Sequence, residues 1–170
     1  MKLEATIDTS CIIALDLLNL IPQTASLFSR LLLPKAVREE LFRRRKTKNR
    51  LQGMIEEYGF LERCDAYSRH PLDIVFGERL TTDRGEAEAV VQAAPLGAMV
   101  VVDDRFGRQL AESFGLETHG TLWILEQLHR LEYLSSSVLR EHLLTLKLNN
   151  IRLPQVAMNE LLVRIGEQPV

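Results

Sequence analysis

The chain has 170 residues, 46% of them hydrophobic and 26% charged, with a formal net charge of −2. That length suits one domain with a substantial core, and the near-neutral charge argues against wholesale coating of nucleic acid while leaving local patches open. Cys11 and Cys64 are far apart and lack CxxC spacing, which argues against a disulfide framework or a zinc site and for a reducing, cytoplasmic setting.

Leu3 to Ile7 reads as a strand, followed by a helix from near Cys11 for which Thr9 or Ser10 offers a capping hydroxyl. The most apolar stretch, Cys11 to Ile21, is broken by Asp16 and Asn19 and is too short to span a bilayer. Nothing at the N-terminus has the apolar core of a signal peptide, so no membrane association is expected. Pro22 suits the first turn of a second helix running to about Ser29. Leu31-Leu32-Leu33, ending in Pro34, is a short buried-strand pattern. A helix from Lys35 carries Val37 and Leu41 and runs into the basic stretch Arg43 to Arg50; another, through Met54, Ile55 and Tyr58, ends at Gly59. The segment from Phe60 to Leu80 gives little pattern beyond a candidate strand at Leu72 to Phe76.

The second half is clearer. Ala87, Val90, Val91 and Ala94 fall at helical spacing, predicting a helix over Arg84 to Ala94. Met99 to Val102 is the strongest strand pattern, and Phe106, Leu110 and Phe114 stripe a helix ended by Gly115. A short strand near Leu116 to Thr118 precedes a helix opened by Gly120-Thr121 and continued through Leu125 and Leu128. Helices near Ser137 to Leu146 and Pro154 to Ile165 complete the chain. Strands alternating with helices imply a parallel sheet covered on both faces.

Two strands end in aspartate and run straight into a helix start: Ile7 before Asp8, and Val102 before Asp103 and Asp104. In a parallel sheet both carboxylates emerge at the carboxyl edge, where open α/β sheets place their ligands. Each could instead cap the helix that follows. Glu40 could equally be a surface residue, because Glu39–Arg43 and Glu40–Arg44 are i,i+4 pairs. Glu86 occupies the third position of a capping box if Asp83 is the cap, which leaves structural and chemical roles both open. Glu88 points about 200° away from Glu86 around the helix and is the weaker candidate. Gathered carboxylates are hard oxygen donors suited to Mg²⁺ or Mn²⁺. Paired ions about 3.5–4 Å apart can clamp the attacking and leaving oxygens of a phosphodiester.

Taken in order, Ile7-Asp8-Thr9-Ser10, Leu33-Pro34-Lys35-Ala36-Val37-Arg38-Glu39-Glu40-Leu41, Gly85-Glu86-Ala87-Glu88-Ala89-Val90, Val102-Asp103-Asp104-Arg105-Phe106-Gly107-Arg108 and Gly120-Thr121-Leu122 resemble a PIN-domain nuclease. The GEAEA and DDRxGR…GTL segments look most like the bacterial and archaeal branch near the VapC-type toxins, over roughly residues 3–134. The resemblance implies a three-layer α/β/α fold with a central parallel sheet. The domain would span 1–134, with residues 135–170 a helical extension packed on it. It also implies a site for one or two Mg²⁺ or Mn²⁺ ions held by Asp8, Glu40, Glu86 and Asp103, with Asp104 a possible fifth acid and Thr9 or Ser10 supporting Asp8. Glu86 stands where the family more often has aspartate, and the registers of Glu39 against Glu40 and Asp103 against Asp104 are fixed only to one residue. RNA cleavage leaving 5′-phosphate ends, homodimerisation, and pairing with an antitoxin that blocks the site are further implications of the resemblance.

Arg43, Arg44, Arg45, Lys46, Lys48 and Arg50 form a candidate RNA-binding run one or two turns after Glu40; taken alone, such a run serves solubility. Arg105 and Arg108 could contact phosphate or pair with Glu112 or Glu117. Two other classes compete. One is a PIN-like module that binds RNA or protein without cutting. The other is a haloacid-dehalogenase-type phosphohydrolase with Asp8 as nucleophile, a family that wants aspartate two residues later, where this chain has Ser10. His70, His119, His129 and His142 lack metal-ligand spacing, Cys11 reads as a small core residue, and Trp123 has no aromatic ladder beside it in sequence.

Overall fold

The computed structural model describes residues 2–43, 52–64 and 84–170. Strand β1 (Leu3–Ile7) leads through α1 (Thr9–Leu17) and a 3₁₀ turn (Pro22–Ser26) to β2 (Phe28–Pro34) and α2 (Lys35–Arg43). Residues 52–57 are helical, and β3 (Leu61–Cys64) follows. The second half runs α3 (Arg84–Ala93), β4 (Met99–Val101), α4 (Arg105–Ser113), β5 (Thr118–His119), α5 (Thr121–Arg130), α6 (Ser136–Leu148) and α7 (Gln155–Arg164). The strands form one parallel sheet in the order β3-β2-β1-β4-β5.

The strand pleat sorts side chains into two layers. Ala5, Ile7, Leu31, Leu33, Met99 and Val101 face a cluster completed by Ile12 and Leu15 of α1, Ile124 and Leu128 of α5, and Leu139, Leu143, Leu161 and Leu162 of α6 and α7. The opposite face gathers Val100 and Val102 with Ala87, Val90 and Val91 of α3 and Leu110 and Ala111 of α4. The result is the expected three-layer α/β/α arrangement. The C-terminal helices share the larger core with the sheet.

Several local expectations shift. The helix expected from Pro22 to about Ser29 is a five-residue 3₁₀ turn. Thr24 Oγ1 donates to the Ile21 carbonyl (2.6 Å) and Ser26 Oγ to that of Gln23 (2.7 Å), and such back-bonding favours a tight turn over a continuing helix. β2 therefore starts at Phe28. β3 falls in the stretch that gave little pattern: at four residues, with only Leu61 and Cys64 buried, it is too short for a period to register. The strand candidate at 72–76, Asp83 and most of the basic run lie outside the described residues. Trp123 has two ring neighbours the sequence hid, Phe28 at 6.5 Å between centroids and a stacked His119 at 4.1 Å. Among the described residues no helix is long and apolar enough to cross a membrane.

Candidate metal centre at the sheet edge

The sheet order reverses between β1 and β4. The chain passes outward from β1 to β2 and β3, then returns to place β4 on the other side of β1. Such a switch point leaves a crevice beyond the carboxyl ends of the two central strands. Ile7 pairs with Val101, and the Asp8 N–H donates to the Val101 carbonyl at 3.0 Å. The two strand-terminal aspartates, 95 residues apart in sequence, thus flank this one crevice.

Asp8 is only 2% exposed. It caps α1 itself, the alternative left open beside Thr9 and Ser10: its Oδ2 accepts from both the N–H (3.0 Å) and the hydroxyl (2.6 Å) of Ser10. Thr9 is committed elsewhere, its hydroxyl donating to Glu40 Oε2 at 2.6 Å. Burial pushes the Asp8 carboxyl above its ordinary value of 3.8, opposed by the Ser10 and Thr9 hydrogen bonds and reinforced by the negative charge of Glu40. Of the two neighbouring glutamates, Glu40 is the one that accepts the Thr9 hydroxyl beside Asp8, while exposed Glu39 lies 3.9 Å from Lys35.

Asp103 is held by the start of α5, whose cap position, Gly120, has no side chain to offer. Thr121 donates its N–H to Asp103 Oδ1 (2.9 Å) and its hydroxyl to Oδ2 (2.6 Å). Gly120 has to be glycine for space: a Cβ there would collide with Asp103 Oδ1 and come within 2.7 Å of Arg108 Nη2. Asp104 is exposed and caps α4, accepting from the N–H groups of Phe106 and Gly107 (3.3 Å for the second). Glu86 is half-buried, its Cβ and Cγ beside Gly107 of α4.

Cys11 lies between the two aspartates. Its thiol, fully buried, donates to Asp103 Oδ2 at 3.4 Å. Burial first, then the charges of Asp103 and Asp8, push the thiol well above its ordinary value, so it stays protonated. Cys11 is a core residue as expected, but one that also faces the site. Neither Thr121 nor Cys11 was expected at the site. The Gly120-Thr121 pair at a helix start was the available signal for Thr121; nothing local marks Cys11.

Arg108 donates to the Val102 carbonyl (3.2 Å) and sits 3.9 Å from Asp103 Oδ1, while Glu117 is occupied by His119 at 2.8 Å. Arg105 is exposed. No basic side chain meets Asp8 among the described residues. In kind, the donors fit a hard divalent cation: carboxylates from separate elements, one of them buried. In position they are not closed into a ready cage, since among the described residues no three His, Cys, Asp or Glu side chains form a group that could grip an ion as they stand.

A three-layer α/β/α fold with acids at the switch point of a parallel sheet defines a carboxylate-edged α/β protein. The sequence model of the family DUF3368, described as a PIN domain, matches residues 4–167, and the chain belongs to that family. PIN domains are generally nucleases, acting on nucleic acids and typically using divalent metals. No curated protein is similar enough to be matched to it.

Proposed function

We propose that this PIN domain is a Mg²⁺- or Mn²⁺-dependent endoribonuclease. The observation that carries the reading is that buried Asp8 and Asp103 lie just beyond the carboxyl ends of the neighbouring parallel strands β1 and β4 at the switch point. Asp8, Glu40, Glu86 and Asp103 would hold the cation, with Asp104 a fifth acid. The cation, when bound, supplies neutralisation of phosphate charge and a more acidic water. The chain's own hydroxyls keep the carboxylates oriented before any substrate arrives: Ser10 holds Asp8, Thr9 holds Glu40 and Thr121 holds Asp103. Arg43, Arg44, Arg45, Lys46, Lys48, Arg50, Arg105 and Arg108 would bind the RNA backbone.

The deciding experiment is cleavage of a labelled RNA in Mn²⁺ by the wild type and by Asp8→Asn. Loss of cleavage in the variant, with its fold retained, supports the reading. Equal activity in both points to a contaminant, and a folded but inactive wild type leaves the silent RNA- or protein-binding module. That second reading draws on Arg108, which partly neutralises Asp103. The phosphohydrolase alternative has no such support, since the chain's family is the PIN domain and not the haloacid dehalogenases.

The proposed biological role, the toxin of a toxin–antitoxin pair acting as a homodimer, rests on the GEAEA and DDRxGR…GTL resemblance, and its cytoplasmic setting on the sparse cysteines. It requires that expression of the wild type, and not of Asp8→Asn, arrest growth, and that a cognate antitoxin relieve the arrest.

A further inference from the structure

We propose that Glu88 is a positioning residue that locks helix α2 against α3 and thereby sets the place of Glu40. The inference rests on the reading of Glu40 as a metal ligand given above. It begins from the two glutamates of Gly85-Glu86-Ala87-Glu88, which the helix directs to opposite sides. Glu86 lies along Gly107 of α4. Glu88, 4% exposed, turns the other way, and its Oε2 accepts a hydrogen bond from the backbone N–H of Ala36 in the first turn of α2.

The start of α2 explains why that bond matters. The helix begins at Lys35 directly after Pro34 of β2, and a proline side chain has no acceptor for the unpaired N–H groups of a helix start. Glu88 brings a carboxylate from 52 residues away to the same place, where the positive end of the helix dipole favours it. This bond offsets a burial cost that an apolar residue at the position would not incur.

A second contact lies one turn along. The Glu40 carboxylate oxygens are 3.0 and 3.2 Å from where a Cβ on Gly85 would stand. Ala36 to Glu40 is one turn forward on α2, and Glu88 to Gly85 is about one turn back on α3. Two contacts a turn apart fix both the rotation of α2 and its position along α3, whereas either alone leaves a pivot. Helix α3 is itself pinned to the sheet: Thr6 Oγ1 of β1 donates to the Ala89 carbonyl at 2.8 Å, and Cys64 Sγ of β3 to Gln92 Oε1 at 3.3 Å. The geometry therefore runs from the sheet through α3 and Glu88 to α2, and ends at Glu40 under the Thr9 hydroxyl.

The test compares wild type, Glu88→Ala and Glu88→Gln in the full chain by two readouts. One is the Mn²⁺ concentration giving half of the Mn²⁺-induced rise in melting temperature. The other is hydrogen exchange of the α2 amides. Glu88→Ala should raise the half-saturating Mn²⁺ by about 10- to 100-fold and speed exchange across residues 36–40. Glu88→Gln, whose amide oxygen still accepts the Ala36 bond, should restore most of both. A lower melting temperature in Glu88→Ala with unmoved half-saturation and unmoved α2 exchange would make Glu88 a mere stability residue and overturn the proposal. Should Glu88→Ala fail to fold, Glu88→Asp, one methylene short of reach, decides by the same two readouts. If the wild type itself shows no Mn²⁺ response, the metal reading fails. The α2 exchange rates then still judge the lock on their own.

Discussion

Thr121 grips both oxygens of Asp103, reaching Oδ1 with its backbone N–H at 2.9 Å and Oδ2 with its hydroxyl at 2.6 Å. Thr121 thereby fixes the rotation of the carboxylate, and Asp103 in return gives the first turn of α5 the accepting group that Gly120 lacks. Thr121 is fully buried, so valine matches it in shape and deletes only the hydroxyl. Thr121→Val should cost about 1 kcal/mol of stability and weaken Mn²⁺ binding about tenfold. Calorimetric titration of Mn²⁺ checks the second figure; unchanged affinity would show that the hydroxyl does not orient Asp103 for metal.

Asp8 gives the metal-free protein a pH dependence with a definite sign. The folded chain holds the Asp8 proton more tightly than the unfolded chain, because burial raises its carboxyl above 3.8. The stabilisation this provides is fully present below that ordinary value and is lost as pH rises through the raised folded value. At neutral pH the ionised, buried group is a burden, and Asp8→Asn, which can still cap α1, should relieve it. The expected gain is about 1 kcal/mol, or roughly 2–4 °C in melting temperature at this chain length, together with complete loss of cleavage. A variant no more stable than wild type in chelator at pH 7 would contradict the burial argument.

Bound metal should remove that burden. At a free concentration 100 times its dissociation constant, Mn²⁺ adds about 2.7 kcal/mol to the folded state, and chelation should reverse the gain. Thermal melts in millimolar Mn²⁺, with and without chelator, read this directly. Melting curves that superimpose would count heavily against a cation site at the switch point.

Two glycines separate crowding from backbone strain. Gly120 has ordinary extended backbone, yet a Cβ there would meet Asp103 and Arg108. Gly97 has φ +58° with open space around it. Gly97→Ala should cost about 1–2 kcal/mol from the left-handed conformation and leave cleavage intact. Gly120→Ala should cost about 1–3 kcal/mol through crowding and suppress cleavage by displacing Asp103. Paired melting and cleavage assays compare the two, and an active Gly120→Ala would mean the close approach is not needed.

The basic run should act through RNA affinity. Replacing Arg43, Arg44 and Arg45 by alanine should flatten the salt dependence of binding by about one unit of slope for each lost phosphate contact. A fluorescence binding titration across salt concentrations measures it, and an unaltered slope would remove the run from the RNA surface.

How much of this was legible beforehand follows from the range of each interaction. The Leu3–Ile7 strand before Asp8 and the Met99 to Val102 run before Asp103, of which the fold keeps Met99–Val101 as strand, are written in neighbouring residues, because strand pattern and helix start are local signals. The same holds for the α3 helix. The 3₁₀ turn after Pro22 is not legible in apolar spacing because hydroxyl back-bonds decide it. β3 escaped because four residues carry no period.

The amino-acid order thus determined the alternating elements, the acids that end two strands and the opposed directions of Glu86 and Glu88, since each depends on pitch and pleat over a few residues. Only the folded chain decided that β4 lies beside β1, that Cys11 sits between Asp8 and Asp103, and that Thr9, Thr121 and Glu88 serve partners between 18 and 52 positions away. Those choices belong to the packing of the sheet, where the order of strands sets which distant carboxylates share one crevice.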